Sequence, residues 1–202
     1  MMNIKINNIK HQIKPISKLS VLEFMAVVSN MRHIDLISYI SALSKVDIDK
    51  ANVKIDNIEI AEAMLLDTDI DFTKIKRPFL FPFGGENLIV NELDDGVFGK
   101  RYMFNIYRKQ YEQESIAIYE LCVYALAICV SKEDDFSDVD KLFIKLTTMN
   151  WTVILPIGFF LSKKLSGKRS FLTKYLMTLI IKLHYIAKQF HQKSNLKRIH
   201  TI

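Results

Sequence analysis

The sequence predicts a mainly α protein, built of helical modules with a minor β or extended N-terminal arm and a β-hairpin-containing linker near residues 70–98. Three observations predict it. Half of the 202 residues are apolar and a quarter are charged, enough to bury one substantial core or two small ones. Only six Gly and four Pro punctuate the chain, too few for a turn-rich sandwich or barrel. Apolar residues recur at helical spacing over most of its length.

Element by element, residues 2–14 alternate apolar and polar at Ile4 and Ile6, then slip phase to Ile9 and Ile13, which fits short strands or an extended arm. Ser17 or Ser20 can cap a helix running to about Met31, with Leu22, Phe24, Met25, Val27 and Val28 inward. Ile34 or Asp35 opens a second through Val46, and a third covers roughly Ile58 to Leu66. Residues 1–69 thus form a small, acidic to neutral helical module. Pro78, Pro82, Gly84, Gly85, Gly96 and Gly99 gather most of the chain's breakers into one stretch, so residues 70–98 are expected to be a linker, with Phe79–Phe83 pairing to Leu88–Val90.

Residues 99–202 form the C-terminal helical module. Helices are expected over Val97–Glu112, Ser115–Ser131 and Ser137–Met149. Ser137 supplies a capping hydroxyl to the last, and Asp138 and Asp140 place negative charge in its first turn. Trp151–Leu161 is a short apolar segment broken by Pro156 and Gly158. From Ser170 to His191 the longest clean periodicity runs through Leu172, Leu176, Leu179, Leu183, Ile186 and Phe190, with Lys174, Lys182 and Lys188 on the other side.

Charge is segregated along the chain. Residues 1–140 carry 16 basic and 22 acidic side chains, a net −6, whereas the 62 residues after Asp140 carry twelve Lys or Arg and no acid. Such asymmetry points to an anionic partner for residues 141–202: an acidic protein surface, a lipid headgroup or nucleic acid. Leu172, Leu176, Leu179 and Leu183, together with Trp151, Lys163, Lys164, Lys168, Arg169 and Lys182, are the candidate partner-binding residues. The leading reading of this region is a bundle helix with a solvated or partner-facing basic side. A membrane-surface helix and a nucleic-acid contact are the alternatives. The Trp151–Leu161 segment is too short for a membrane span of about twenty residues. The start of the chain lacks the pattern of a secretory signal, so cytoplasmic synthesis is expected.

No constellation calls for catalysis, a cofactor or a metal. Cys122 and Cys129 lie seven apart in an apolar run, two turns along a helix, and are expected to be buried reduced thiols. Asp67, Asp69 and Asp71 resemble the opening of a calcium loop, but Phe72 stands where glycine is needed and Pro78 where the bidentate Glu belongs. The glycines at 84–85 and 96–99 complete neither nucleotide-binding pattern. Tyr102, Phe104, Tyr107, Arg108, Lys109 and Tyr111 interleave bases with aromatics, yet Phe104, Tyr107 and Tyr111 share one helical stripe, which favours core packing over a nucleic-acid surface.

The stretch Pro15-Ile-Ser-Lys-Leu-Ser-Val-Leu-Glu-Phe followed by Ile34-Asp-Leu-Ile-Ser-Tyr-Ile-Ser-Ala-Leu resembles the extended start and two short helices of tailed-phage tail and baseplate proteins, particularly small tail assembly chaperones. Trp151-Thr-Val-Ile-Leu-Pro-Ile-Gly-Phe-Phe-Leu before a basic tail is similar to their apolar C-terminal segments. The similarity covers about a third of the chain. It implies a non-enzymatic protein that binds other tail or baseplate proteins such as the tape measure, in the host cytoplasm during assembly or in the virion tail. The long basic C-terminus departs from the pattern and favours a structural subunit over a transient chaperone.

Overall fold

The computed structural model describes residues 1–6, 8–31, 35–48, 53–54, 58–66, 80–83, 86–89, 98–131 and 135–166. It is mainly helical, and its described residues fall into two compact units, those up to residue 66 in the first and those from 80 to 166 in the second.

The first unit opens with a hairpin, β1 (Met2–Ile6) and β2 (Ile9–Ile13), in which Ile6 faces Ile9 and Met2 faces Ile13. The phase slip has a physical cause here. Crossing a two-residue turn moves the inward positions from even to odd, so Ile4, Ile6 and Ile13 reach the same core. Asn8, at φ 64°, occupies the left-handed region that Asn tolerates. A short β3 (Val53–Lys54) pairs with the other edge of β1.

A 3-10 turn over Ile16–Lys18 leads into α1 (Val21–Asn30). Of the two candidate serines, Ser20 is the cap, and Ser17 lies in the turn. The Ser20 hydroxyl accepts from the Glu23 N–H at 3.2 Å, and the Glu23 carboxylate accepts from the Ser20 N–H at 2.9 Å, a reciprocal capping box. This start sets the helical phase so that Val21, Phe24 and Val27 point inward. Leu22, expected inside, is instead 60% exposed, because it lies 100° round the helix from Val21. Asp35 caps α2 (Leu36–Ser44) by accepting from the Ser38 N–H at 2.7 Å. This helix stops two residues before the expected Val46, at Lys45, whose φ of 57° is a left-handed C-cap. Within the unit α1 packs on α2, and α3 (Ile58–Leu66), whose Ala61 and Leu65 are buried, packs on α2 and the 3-10 turn.

In the second unit β4 (Leu80–Phe83) and β5 (Glu86–Ile89) form the expected hairpin, shifted by one residue, with Phe83 opposite Glu86. Four helices follow: α4 (Phe98–Glu112), α5 (Ile118–Val130), α6 (Val139–Thr147) and α7 (Trp151–Leu165). Ten of the thirteen residues of α5 are buried, on all sides, as in a helix surrounded by others. It packs on α4, α6 and, most extensively, α7. Its expected start at Ser115 moves to Ile118, where Glu120 turns back to accept from the Ala117 N–H at 2.5 Å. Ser137 does not cap α6: its N–H and hydroxyl are both taken by Asp135, at 3.0 and 2.6 Å, and Asp138 holds the N-cap position.

The expected break at Pro156 and Gly158 is absent, and α7 runs through both. Trp151, Ile154, Leu155, Gly158, Leu161, Ser162 and Leu165 make a stripe of three- and four-residue steps buried in the unit. A Cβ on Gly158 would overlap the backbone of Cys122, 2.7 Å from its carbonyl carbon, so glycine lets α7 approach α5 at backbone contact. Pro156 removes the hydrogen bond that its N–H would have made to the Thr152 carbonyl, a loss of about 3 kcal/mol in an isolated helix, which tertiary packing here outweighs.

Candidate functional site

Of the ten candidate partner-binding residues, Trp151, Lys163 and Lys164 are described; Lys168, Arg169, Leu172, Leu176, Leu179, Lys182 and Leu183 lie outside the described residues. Trp151 is 2% exposed at the first position of α7. Its indole belongs to the unit's own core, because Asn150, accepting from the Thr152 N–H at 2.8 Å, starts α7 with that side inward. Lys163 and Lys164 are exposed in the last turn of the same helix, where the dipole favours cations. The Lys164 ammonium lies 5.8 Å from the centroid of the Phe160 ring.

The most ordered polar constellation is an aromatic ladder joining three helices. Tyr107 of α4 stacks on Tyr124 of α5 with ring centroids 3.8 Å apart, and Tyr124 stacks on Phe143 of α6 at 4.1 Å. The Tyr107 hydroxyl donates to the Asp140 carboxylate at 3.3 Å. Burial first, then the charge of Asp140, pushes the Tyr107 phenol up to about 12, and burial with Asp140 and Glu120 raises Tyr124. Both phenols therefore stay protonated near neutrality and act as hydrogen-bond donors. Of the α4 stripe read from the sequence, Phe104 and Tyr107 are buried core and Tyr111 is half-buried, while Tyr102 is 59% exposed.

Burial also pushes the Cys122 thiol up to about 12, although a hydrogen bond with Ser162 acts in the opposite direction. A protonated, enclosed thiol is inert towards electrophiles. Both cysteines are free and buried, as the sequence leads one to expect. Lys100, in the first turn of α4, is wholly buried, and nothing in its sequence context marks it as an interior lysine.

At the α4–α5 turn an open depression of about 540 Å³ is lined by Tyr111, Glu112, Glu114, Ser115, Ile116, Ala117 and Glu120. Among the described residues no group of three or more His, Cys, Asp or Glu is arranged to hold a metal ion, and no helix is long and apolar enough to cross a membrane. Comparison of the chain with protein families, curated proteins and solved structures finds no match.

Proposed function

We propose that the chain is a non-enzymatic phage tail or baseplate protein, a structural subunit or assembly factor that works through protein–protein contacts. The observation that carries the contact-making role is the set of outward apolar pairs at helical spacing. Ile60 and Met64 on α3 are 58% and 61% exposed, and Tyr102 and Ile106 share the outer side of α4. Side chains of this kind cost solubility on a free monomer and are accounted for by partners that cover them. The tail or baseplate assignment rests on the resemblance carried by residues 15–24 and 34–43 and by the apolar segment from Trp151.

Mass spectrometry of purified virions tests it. Presence of the chain supports a structural subunit. Its absence, with tail proteins co-purifying from infected cells, supports an assembly factor, and failure of both removes the proposal.

The exposed Lys163 and Lys164 favour a second reading, an anionic surface as the partner of the C-terminal region. Flotation of the full-length protein with anionic liposomes at low salt is expected for a membrane surface. A gel-shift complex at about 50 mM salt that weakens steeply as salt rises is expected for nucleic acid.

A further inference from the structure

In the first unit β2 is an edge strand. β1 lies along one side of it, and among the described residues no strand pairs with the other. Ile6 faces Ile9 across a two-residue turn, so that pair exchanges both backbone hydrogen bonds. The alternation along an antiparallel ladder then points the N–H and C=O of Ile9, His11 and Ile13 towards β1. Those of Lys10 and Gln12 point the other way, and both residues are exposed. An uncovered edge of this kind is a template for another strand. The core-facing row of β2 is also incomplete: Ile13 is 2% exposed and His11 half-buried, whereas Ile9, on the same side, is 62% exposed.

We propose that β2 is a self-association edge, pairing antiparallel with β2 of a second copy about a two-fold axis at His11. In this register Lys10 exchanges backbone hydrogen bonds with Gln12 of the second copy, and His11 stands opposite its own equivalent. Ile9 of each copy then lies beside the buried Ile13 of the other, which covers the exposed end of both rows. Charge selects the register. Sliding the copies by two residues would set Lys10 against either Lys10 or Lys14 of the second copy, and Lys10 already stands opposite Lys5 on β1. The Lys14 carbonyl is in any case taken by the Tyr39 hydroxyl. The inference goes beyond the tail or baseplate reading and does not depend on it, since both partners are this chain.

Cross-linking of the full-length chain tests it. Cys122 and Cys129 are buried, which leaves an introduced thiol as the reactive one. In the proposed register the two His11 positions form a non-hydrogen-bonded pair with Cα atoms about 4.5 Å apart, within the range that a disulfide spans. Mild oxidation of His11→Cys should therefore give a disulfide-linked dimer, about tenfold faster than Gln12→Cys, whose own equivalent lies a diagonal step away. A His11→Cys chain that stays monomeric, or equal rates at the two positions, overturns the proposal. In the chain without added thiols, sedimentation equilibrium should show a concentration-dependent dimer. Gln12→Pro removes an N–H that β1 does not use, so the hairpin should tolerate it while the dimer weakens at least about tenfold with helicity unchanged. Ile9→Lys, at a position exposed in the single copy, should do the same. A chain still monomeric at about 100 μM, or a dimer that both substitutions leave as tight, also overturns it.

Discussion

The two units solve the same problem of stability by different means. The second is organised around one helix, α5, buried on all sides, and α7 approaches it so closely at Gly158 that a Cβ there would overlap the Cys122 backbone. The first is assembled from short strands and helices and pinned by polar groups. Lys14 pairs with Glu23 at 2.5 Å, Glu23 completes the capping box of α1, and the fully buried Tyr39 donates its hydroxyl to the Lys14 carbonyl. A dense helical core punishes changes in volume, because interiors pack like crystals and leave no slack. A unit pinned by hydrogen bonds is sensitive to loss of single donors and to protonation. The difference makes each unit vulnerable to a different kind of change.

The largest effect should come from Gly158→Val. Its Cβ and methyls would have to displace the Cys122 carbonyl, and since backbone cannot yield as a flexible side chain can, a loss of about 3 kcal/mol or more is expected in urea unfolding followed by circular dichroism. A variant as stable as the parent would mean that α7 does not approach α5 in this way. Next, Leu126→Ala, in the middle of α5 and wholly buried, should cost about 3 kcal/mol from lost burial and the cavity left behind.

The first unit should respond to chemistry more than to volume. Tyr39→Phe keeps the ring and removes only the hydroxyl, leaving the Lys14 carbonyl without that donor, for an expected loss of about 1–2 kcal/mol. No change would place the buried ring, and not its hydrogen bond, at the centre of the unit.

Smaller still is the pH response. The Tyr39, Tyr107 and Tyr124 phenols are all raised above the ordinary value, chiefly by burial. A raised phenol means that the folded state keeps its proton where the unfolded chain has lost it. Stability should therefore begin to fall as pH passes about 10, the unfolded value, and continue falling towards the folded value of about 12 at Tyr107. Glu23 works in the other direction. Burial opposes its ionisation, but hydrogen bonds and charge from Lys14, with the Ser20 N–H, hold its carboxyl below the usual value. Its contribution is present above the unfolded carboxylate value and is lost as pH falls through the lower folded one. Because the Lys14–Glu23 pair is partly exposed, that acid-side change should be small and weaker in high salt. Thermal melts from about pH 2 to about pH 12 read both limbs.

Much of the architecture was legible because it depends on local rules. Ser20 three residues before Glu23 marks a helix start, and Asp35 before Leu36 marks another. What was not legible depends on distant partners. Pro156 and Gly158 look like breakers within their own segment, and only the backbone of Cys122 on another helix explains why glycine suits an unbroken α7. Leu22 was misplaced because a short helix with many apolar residues has two plausible phases, and the capping box chooses between them. Of the candidate partner-binding residues, Lys163 and Lys164 are exposed and Trp151 is used by the core, a difference set by which side of α7 faces α5 and so not visible in the segment alone. Tyr107 could be assigned to an inward stripe of α4, but its stack on Tyr124 and Phe143 joins three helices and has no signature in any one of them.

The contrast between the units turns on α5 being sealed by α7, and the native cysteines report that seal. In the unmodified protein under native conditions, the account predicts that Cys122 and Cys129 react with a thiol reagent only as fast as the second unit unfolds, with the rate rising in parallel with urea-induced loss of helicity. Reaction of either thiol at the rate of a free, exposed cysteine in the absence of denaturant would contradict it.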